Sequence, residues 1–587
     1  MNVRLLILAA VLPAARAGEP AFWRWAPTPP MGWNSWDNFG TAVTEAEIRQ
    51  QGDYMARHLA AHGWHDIVVD IEWYQPTAHG HGYQPGAPLV LDGFGRLWPA
   101  TNRFPSAANG RGFRPLADAM HALGLGFGVH LLRGIPRQAV RENLPILGTD
   151  VRARDIADVH SVCPWNPDMY GVDMSRPGAQ AYYDSVFALL ASWGVDFVKV
   201  DDISRPYDEH RAEIEAIRRA IDRTGRPMVL SLSPGATPLS AALHVRRQAN
   251  MWRISDDFWD QWLLLRAQFG RLAAWSPFRT QGAWPDADML PLGRIDFDSR
   301  PSRLNPDEQR TLMTLWSIAR SPLMDGGDLA RMDPATLALL TNDEVLAVDQ
   351  DSAANRPLFD RDGLIAWTAA VPHSADRYLA VFNARDRIPL TPANARFASA
   401  PVTADPASAA TVNIDVRGGR RLFLLATPTD PNAEGITAVW RRARFVCRDG
   451  SEQPLGAAPW LAADSLWDSA AIRRDARGRP VGLAAQPAAL ITYAVPPAAI
   501  RFRATAVAEC GPSAERSASL RFLAVVATAA DDGRPSALKV AVPLRSLGIG
   551  GPARIRDLWS HRDLGVVHGS FAPSIPYHGA GLYRLSP

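Results

Sequence analysis

The sequence predicts a (β/α)8 TIM barrel followed by C-terminal antiparallel β-sandwich domains, an α/β chain with an all-β tail. Three observations carry this. From about residue 28 to 350, short apolar runs alternate with longer amphipathic stretches, the signature of parallel βα units, and that length suits a closed barrel. Asp70, Asp201 and the pair Asp256-Asp257 fall at or just past the C-termini of such runs, where barrels place their chemistry. After about residue 355 the helical periodicity gives way to short alternating strands between Gly, Pro and Asp clusters, as in sandwiches. A doubly wound sheet is the competitor, but no GxGxxG follows a strand.

The elements follow in order. Arg4 precedes an apolar run at 5–12, and Ala15-Arg16-Ala17 fits an A-x-A cleavage site. That run is too short to span a bilayer and reads as an export signal over 1–17, cut after Ala17. The mature chain is then secreted or periplasmic, with no membrane span. Strands are expected at 66–70, 126–132, 196–201, 228–233 and 250–255, with helices at 176–192 and 208–224. Later strands are expected at 378–382, 421–425, 490–493, 501–505 and 538–542. The reading divides the chain into a catalytic barrel at 25–355, a small antiparallel β-domain made of 356–400 plus 525–587, and an inserted β-sandwich at 401–524. The Ala/Pro-rich stretch 392–410 reads as a linker.

Composition narrows the function. The 587 residues carry a net charge of +2, which argues against nucleic acid as a partner. Three cysteines do not make a disulfide scaffold, and neither CxxC nor Cys/His metal spacing appears. Cys447 and Cys510 pairing, with Cys163 left over, stays open. Trp, at 20 residues, equals Phe and nearly doubles Tyr at 11; indoles are platforms for apolar sugar faces as well as core filler. Of 62 basic residues, Lys199 and Lys539 are the two lysines. A chain that otherwise uses Arg keeps a compact ammonium at Lys199 for a reason.

The strongest constellation is Lys199-Val-Asp201-Asp202 together with Trp252-Arg-Ile-Ser-Asp256-Asp257. Two carboxyls beside fixed cations suit glycosidic hydrolysis, where one acid stays ionised and the other holds a proton. Lys199 and Asp201 are two apart on a strand and share a face. The competing reading has Asp201 or Asp202 capping the next helix. His210 reads as solvated surface, and Asp286 and Asp288 as supporting or capping groups.

The run Pro30-Met-Gly-Trp-Asn-Ser-Trp-Asp37 resembles the opening strand of glycoside hydrolase family 27, the α-galactosidase and α-N-acetylgalactosaminidase family. The likeness continues through Val69-Asp70, Lys199-Val-Asp201, Trp252-Arg253 with Asp257, Trp284-Pro-Asp-Ala-Asp-Met-Leu290, Ser321-Pro-Leu-Met324 and Ile555-Arg-Asp-Leu-Trp559. The resemblance implies a retaining α-glycosidase on a (β/α)8 barrel, and no step of that chemistry needs a metal or an organic cofactor. Asp201 is then the nucleophile, Asp257 the acid/base, and Trp36, Asp70, Glu72, Lys199 and Arg253 bind the sugar.

Three departures bear on which sugar. Where the family has two consecutive Asp after strand two, this chain has Asp70-Ile71-Glu72. The loop after strand five is Ser231-Leu-Ser-Pro-Gly235, without the family's Cys and Trp, and His130-Leu-Leu-Arg-Gly-Ile-Pro-Arg137 replaces the usual segment after strand three. Glu72 reaches the sugar if the loop bends there; a pocket-directed Glu72 favours a pentopyranose, and one turned away leaves room for galactose. The expected activity is an α-galactosidase acting on terminal α-linked galactose. The alternatives are a β-L-arabinopyranosidase, an exo-acting α-glucan hydrolase, and a catalytically inert sugar-binding protein. The segment 401–524, through Trp440 and Arg444-Phe-Val-Cys-Arg-Asp-Gly450, resembles a carbohydrate-binding sandwich, but Ala484-Ala-Gln486 stands in place of that module's Gly-Thr-His.

Overall fold

A computed structural model describes residues 18–587, apart from 298, 430–435, 458, 466–468 and 511–517. The segment 1–17, expected to be an export signal, lies outside the described residues. The chain forms two compact units: one takes residues up to Ile254 with Ala274–Pro301 and Ala319–Asp351, the other Ser255–Ala273, Ser302–Ile318 and Ser352–Pro587. Two stretches of the expected 25–355 barrel segment thus group with the second unit.

Eight parallel strands build the first unit: β1 (Met31–Asn34), β2 (Asp66–Val69), β3 (Gly126–Leu132), β4 (Phe197–Asp201), β5 (Val229–Leu232), β6 (Met251–Arg253), β7 (Trp284–Asp286) and β8 (Leu323–Asp325). Each pairs with the next in chain order from β1 to β7, and β8 pairs with β1. The circle closes just past β7, where Leu290 bridges Asp325 in parallel and its N–H donates to the Met324 carbonyl at 2.7 Å. Val68, Phe197, Val229, Met251, Trp284 and Met324 form an apolar cluster within this unit. Gly32 is required where β1 meets β2, because a Cβ there would collide with the Asp66 carbonyl.

Local sequence sets the helix ends. Thr44 and Glu47 close a capping box on the helix Glu45–His58. The helix expected at 176–192 is Ala179–Trp193, because Pro177 and Gly178, the latter at φ 87°, break the first turn. The helix Tyr207–Thr224 starts from Pro206, so neither Asp201 nor Asp202 caps it. His210 is buried on its inner stripe with Glu213, Ile214, Ile217 and Ile221, which corrects the expectation of a solvated histidine; burial pushes its pKa down to about 4. Between β3 and β4, a small sheet of Ile135–Pro136, Met169–Val172 and Ala157–Val162 carries the turn with Cys163, Asn166 and Asp168.

The second unit is all-β apart from the segments it takes from the barrel connections. One six-stranded sheet uses strands from 353–383 and 553–586. Two further sheets, with strands between 397 and 528, face each other across a core of Leu422, Leu424, Trp440, Phe445, Ile491, Phe502 and Phe522. Trp440 is core, edge-on to Phe522 at 5.1 Å, and so offers no sugar platform. Along Gly419–Pro428 the alternate residues Phe423 and Leu425 point the other way, into a cluster with Leu263, Ile388, Leu390 and Leu523. That sheet is apolar on both faces, a middle layer rather than a half-exposed one.

Part of the expected linker at 392–410 is structured. Phe397–Ala398 and Val402–Thr403 pair with Ser519–Thr528, since Val402 buries into the sandwich core. Cys163, Cys447 and Cys510 are not joined in disulfides. Cys447 pairs across the ladder with Ala499, and Cys510 with Ile436. They therefore lie at opposite ends of one strand pair, roughly 35 Å apart at strand rise, far beyond disulfide reach.

Within this unit the strand Ala462–Ser465 places Asp464 by Glu308, Asp260 and Arg303; burial first, then those two acids, push its carboxyl up to about 7. His578 bridges Glu308 at 2.7 Å and Asp386 at 3.1 Å, and stacks on Trp262 with ring centroids 3.8 Å apart.

Candidate active site

The C-terminal ends of β1 to β4 gather the charged groups. β4 alternates, so Lys199 and Asp201 share a face while Val198 and Val200 are buried on the other. Lys199 Nζ donates to Asp70 Oδ2 at 2.8 Å. Asp70, the first residue past β2, also accepts from Asn34 Nδ2 at 2.8 Å and from the Ile71 N–H at 2.8 Å, and its own N–H donates to Ser35 Oγ at 2.9 Å. Burial alone would raise the Asp70 pKa, but Lys199 and then His130 overcome it and hold the carboxyl well below the usual carboxylate range. Burial likewise opposes charge on Lys199, yet Asp70 and Asp201 keep it above its ordinary value.

Asp201 is the more accessible acid, its side chain 16% exposed against 2% for Asp70. Its Oδ1 accepts the Asp202 N–H at 2.9 Å, and its Oδ2 lies 3.3 Å from His130 Nε2. Burial raises its pKa, but the His130 hydrogen bond and charge and the Lys199 ammonium more than offset that, so the net shift is downward. Such a carboxylate is ionised and open on one side, as a nucleophile must be. Asp202 takes another path: at φ 56° the chain turns, and its carboxylate goes to Arg133 Nη2 at 2.8 Å, with Arg133 Nη1 on Glu213 at 2.8 Å.

His130 was not a predicted site residue. It is fully buried in β3, directly across the ladder from Lys199. The signal was one imidazole at the mouth end of an otherwise apolar strand. Because it stabilises the charged form of Asp201, His130→Leu should raise the Asp201 pKa. The acidic limb of kcat/KM should therefore move to higher pH, with kcat/KM at its optimum falling about 10-fold to 100-fold. A pH profile unchanged in shape refutes this role.

Arg253 ends β6 and its Nη2 pairs with Asp288 Oδ2 at 2.8 Å; the Asp288 N–H in turn donates to Asp286 Oδ1 at 2.9 Å. Asp286 and Asp288 thus support Arg253. Trp36, separated from β1 by Ser35, has its ring stacked on Tyr83 at 6.1 Å and edge-on to His81 at 5.3 Å.

Glu72 departs from the expectation. The chain does bend there, at φ 65°, but Glu72 shares no partner with Asp70. Its Oε1 accepts from Asn166 Nδ2 at 3.1 Å, the Gln75 amide lies 2.7 Å from Oε2, and Arg103 holds its carbonyl at 2.7 Å. Burial and then Asp168 push its carboxyl up to about 8. The residue beside Asp70 is instead Ile71, 1% exposed.

Asp256 and Asp257 lie in the second unit, in the loop between β6 and the helix Trp262–Trp275. In that loop Ser255 Oγ accepts from Gln268 Nε2 at 2.8 Å, and Asp260 Oδ2 accepts from the Arg303 N–H at 2.7 Å. Among the described residues, no group of three or more His, Cys, Asp or Glu is arranged to hold a metal ion, and no helix is long and apolar enough to cross a membrane.

Comparison with known proteins identifies the family. The family model "Alpha galactosidase A" matches residues 168–351, and "Alpha galactosidase C-terminal beta sandwich domain" matches 517–585. A family 27 β-L-arabinopyranosidase from Geobacillus stearothermophilus, solved with arabinose, is 38% identical with a TM-score of 0.69, covering 97% of this chain and 99% of that one. The α-galactosidase of Cyamopsis tetragonoloba is 27% identical over 325 residues, 55% of this chain and 64% of that enzyme, so the match spans under two thirds of its length. An α-galactosidase from Mortierella vinacea, 17% identical with a TM-score of 0.51, shares the fold. The chain belongs to glycoside hydrolase family 27, the α-galactosidase family, and is a glycoside hydrolase built on a parallel eight-stranded barrel with C-terminal antiparallel β-sheets.

Proposed function

We propose that the chain is an exported, retaining β-L-arabinopyranosidase. The observation that carries this reading is Ile71, buried directly after Asp70, where the family resemblance calls for a second Asp. β-L-Arabinopyranose presents the ring of α-D-galactopyranose without the hydroxymethyl group. Glu72, turned to Asn166, leaves room near that group, so size alone does not exclude galactose. What argues for the pentopyranose is that Ile71, in place of a second Asp, cannot accept a hydrogen bond from a hydroxymethyl, which a pentopyranose lacks. The likeness to the Geobacillus arabinopyranosidase over nearly the whole chain supports the same sugar.

In this mechanism Asp201 attacks the anomeric carbon, forming a glycosyl ester as the bond to the leaving oxygen breaks. Asp257 gives its proton to that oxygen. Water then attacks the same carbon, returns a proton to Asp257 and releases Asp201. Lys199 and Asp70, an ion pair at 2.8 Å, offer a donor and an acceptor to adjacent ring hydroxyls, Arg253 offers a second cation, and Trp36 takes the apolar ring face. The sandwich at 401–524 is, in this reading, structural rather than sugar-binding, packed against Leu263.

Kinetics on p-nitrophenyl β-L-arabinopyranoside and p-nitrophenyl α-D-galactopyranoside test the proposal. The arabinopyranoside should be preferred in kcat/KM by at least about tenfold, the worth of one well-matched small group in a pocket. Ile71→Asp should narrow or invert that ratio by raising galactoside turnover. A wild-type preference for the galactoside defeats the reading and restores α-galactosidase, the activity named for the plant relative.

A further inference from the structure

The connection between β7 and β8 contains a tight hairpin, Arg294–Ile295 paired with Arg300–Pro301. Its described turn residues, Asp296, Phe297 and Ser299, are held by several hydrogen bonds. The Asp296 N–H donates to the Asp37 carbonyl at 2.6 Å, next to Trp36 in sequence. Asp296 carboxylate oxygens accept from the Phe297 N–H at 2.8 Å and Arg300 Nε at 3.2 Å, and Arg294 Nη1 donates to the Ser299 carbonyl at 2.6 Å. Asp296 and Ser299 both hold positive φ, 67° and 52°, a backbone state that non-glycine residues adopt at a cost.

What this anchoring presents is Phe297, a residue left 48% exposed. The Phe297 ring lies edge-on to His81 at 5.7 Å, His81 is edge-on to Trp36 at 5.3 Å, and Trp36 stacks on Tyr83. His81 Nε2 is fixed 3.2 Å from the Trp36 carbonyl. Burial lowers the His81 pKa, against the opposing pull of Asp296 at 3.9 Å. A continuous aromatic ledge thus runs from Trp36 to a half-exposed phenyl ring.

We infer that Phe297 is a specificity residue for the leaving group, stacking a sugar or aryl ring attached through the scissile oxygen. This rests on the reading that Trp36 carries the ring face of the hydrolysed sugar. The group that leaves then extends from Trp36 toward solvent, and the apolar face of a second ring meets the phenyl face. A Phe held rigidly at a rim loses little conformational freedom on binding, which is what a recognition surface requires.

The test compares Phe297→Ala with wild type on three β-L-arabinopyranosyl substrates: the fluoride, whose leaving group has no ring, the p-nitrophenyl glycoside, and a disaccharide. kcat/KM should fall about fivefold to tenfold on the two ring-bearing substrates, with the fluoride changed less than twofold. Phe297→Tyr, which keeps the ring, should stay within twofold on all three. An equal fall on all three substrates, or no fall on any, overturns the inference. If wild type hydrolyses α-galactosides instead, the sugar assignment fails on its own, and the same three leaving groups on galactose still decide the role of Phe297.

Discussion

Asp201→Asn should remove turnover, lowering kcat by about 10⁴-fold or more on every glycoside whatever its leaving group. The amide is nearly isosteric, so the Asp202 N–H can still donate to the retained oxygen of residue 201, and the Lys199–Asp70 pair, which does not involve it, remains. Thermal unfolding should therefore change little. An activity assay alongside a melting curve checks both halves. Loss of activity with a large fall in Tm would mean that the acid is structural, and retention of activity would mean that the nucleophile lies elsewhere. Because the Asp201 pKa is depressed, its carboxylate stays ionised down through mildly acidic pH. The acidic limb of the wild-type kcat/KM profile should accordingly lie below the ordinary carboxylate range.

Asp257→Asn should divide substrates by leaving group. Disaccharides, whose alkoxide must be protonated as it departs, should lose about 10²-fold to 10⁴-fold in kcat/KM. Dinitrophenyl glycosides need no proton to leave and should lose far less in that step, while the glycosyl-enzyme then accumulates because water lacks its base. Azide attacks without base assistance, so adding it should restore turnover and yield the glycosyl azide of retained configuration. Asp256→Asn is the control. If it shows this pattern while Asp257→Asn does not, the assignment shifts by one residue. If neither does, the acid/base is not on the loop after β6.

The sequence made legible whatever follows from periodicity and rare residue choice. The strand ends were readable because a two-residue period puts Lys199 and Asp201 on one face, and because lysine is so scarce here that Lys199 demanded an explanation. Asp70 was readable for the same positional reason. Glu72 was not, since its direction depends on one residue entering the left-handed region and on Asn166, which arrives from the connection after β3. That connection differs from the family pattern and has no periodic signal. His210 has charged neighbours that suggest a wet face. Its spacing to Glu213, Ile214, Ile217 and Ile221 is nonetheless that of one helical stripe, whose polar members are satisfied from across the fold: Glu213 by Arg133 and Tyr183, His210 by the Ile203 carbonyl. His130 was overlooked for the opposite reason. In a strand whose other side chains are all apolar, one histidine reads as core until its partner Asp201 is seen.

The middle layer of the second unit bears on how this enzyme can be reshaped. Phe423, Leu425, Leu523 and Val525 on the outer face of the sandwich meet Leu263, which belongs to the helix directly after the Asp257 loop. Asp464, on the edge strand of the same sheet, lies by Asp260 of that loop. The sandwich is therefore not a cassette. Excising it would strip the apolar cover from the helix that steadies the proposed acid/base, and transplanting it onto another enzyme would bare a second greasy surface. Loss of sugar binding would not make it dispensable, because its place in the chain is secured by what it covers.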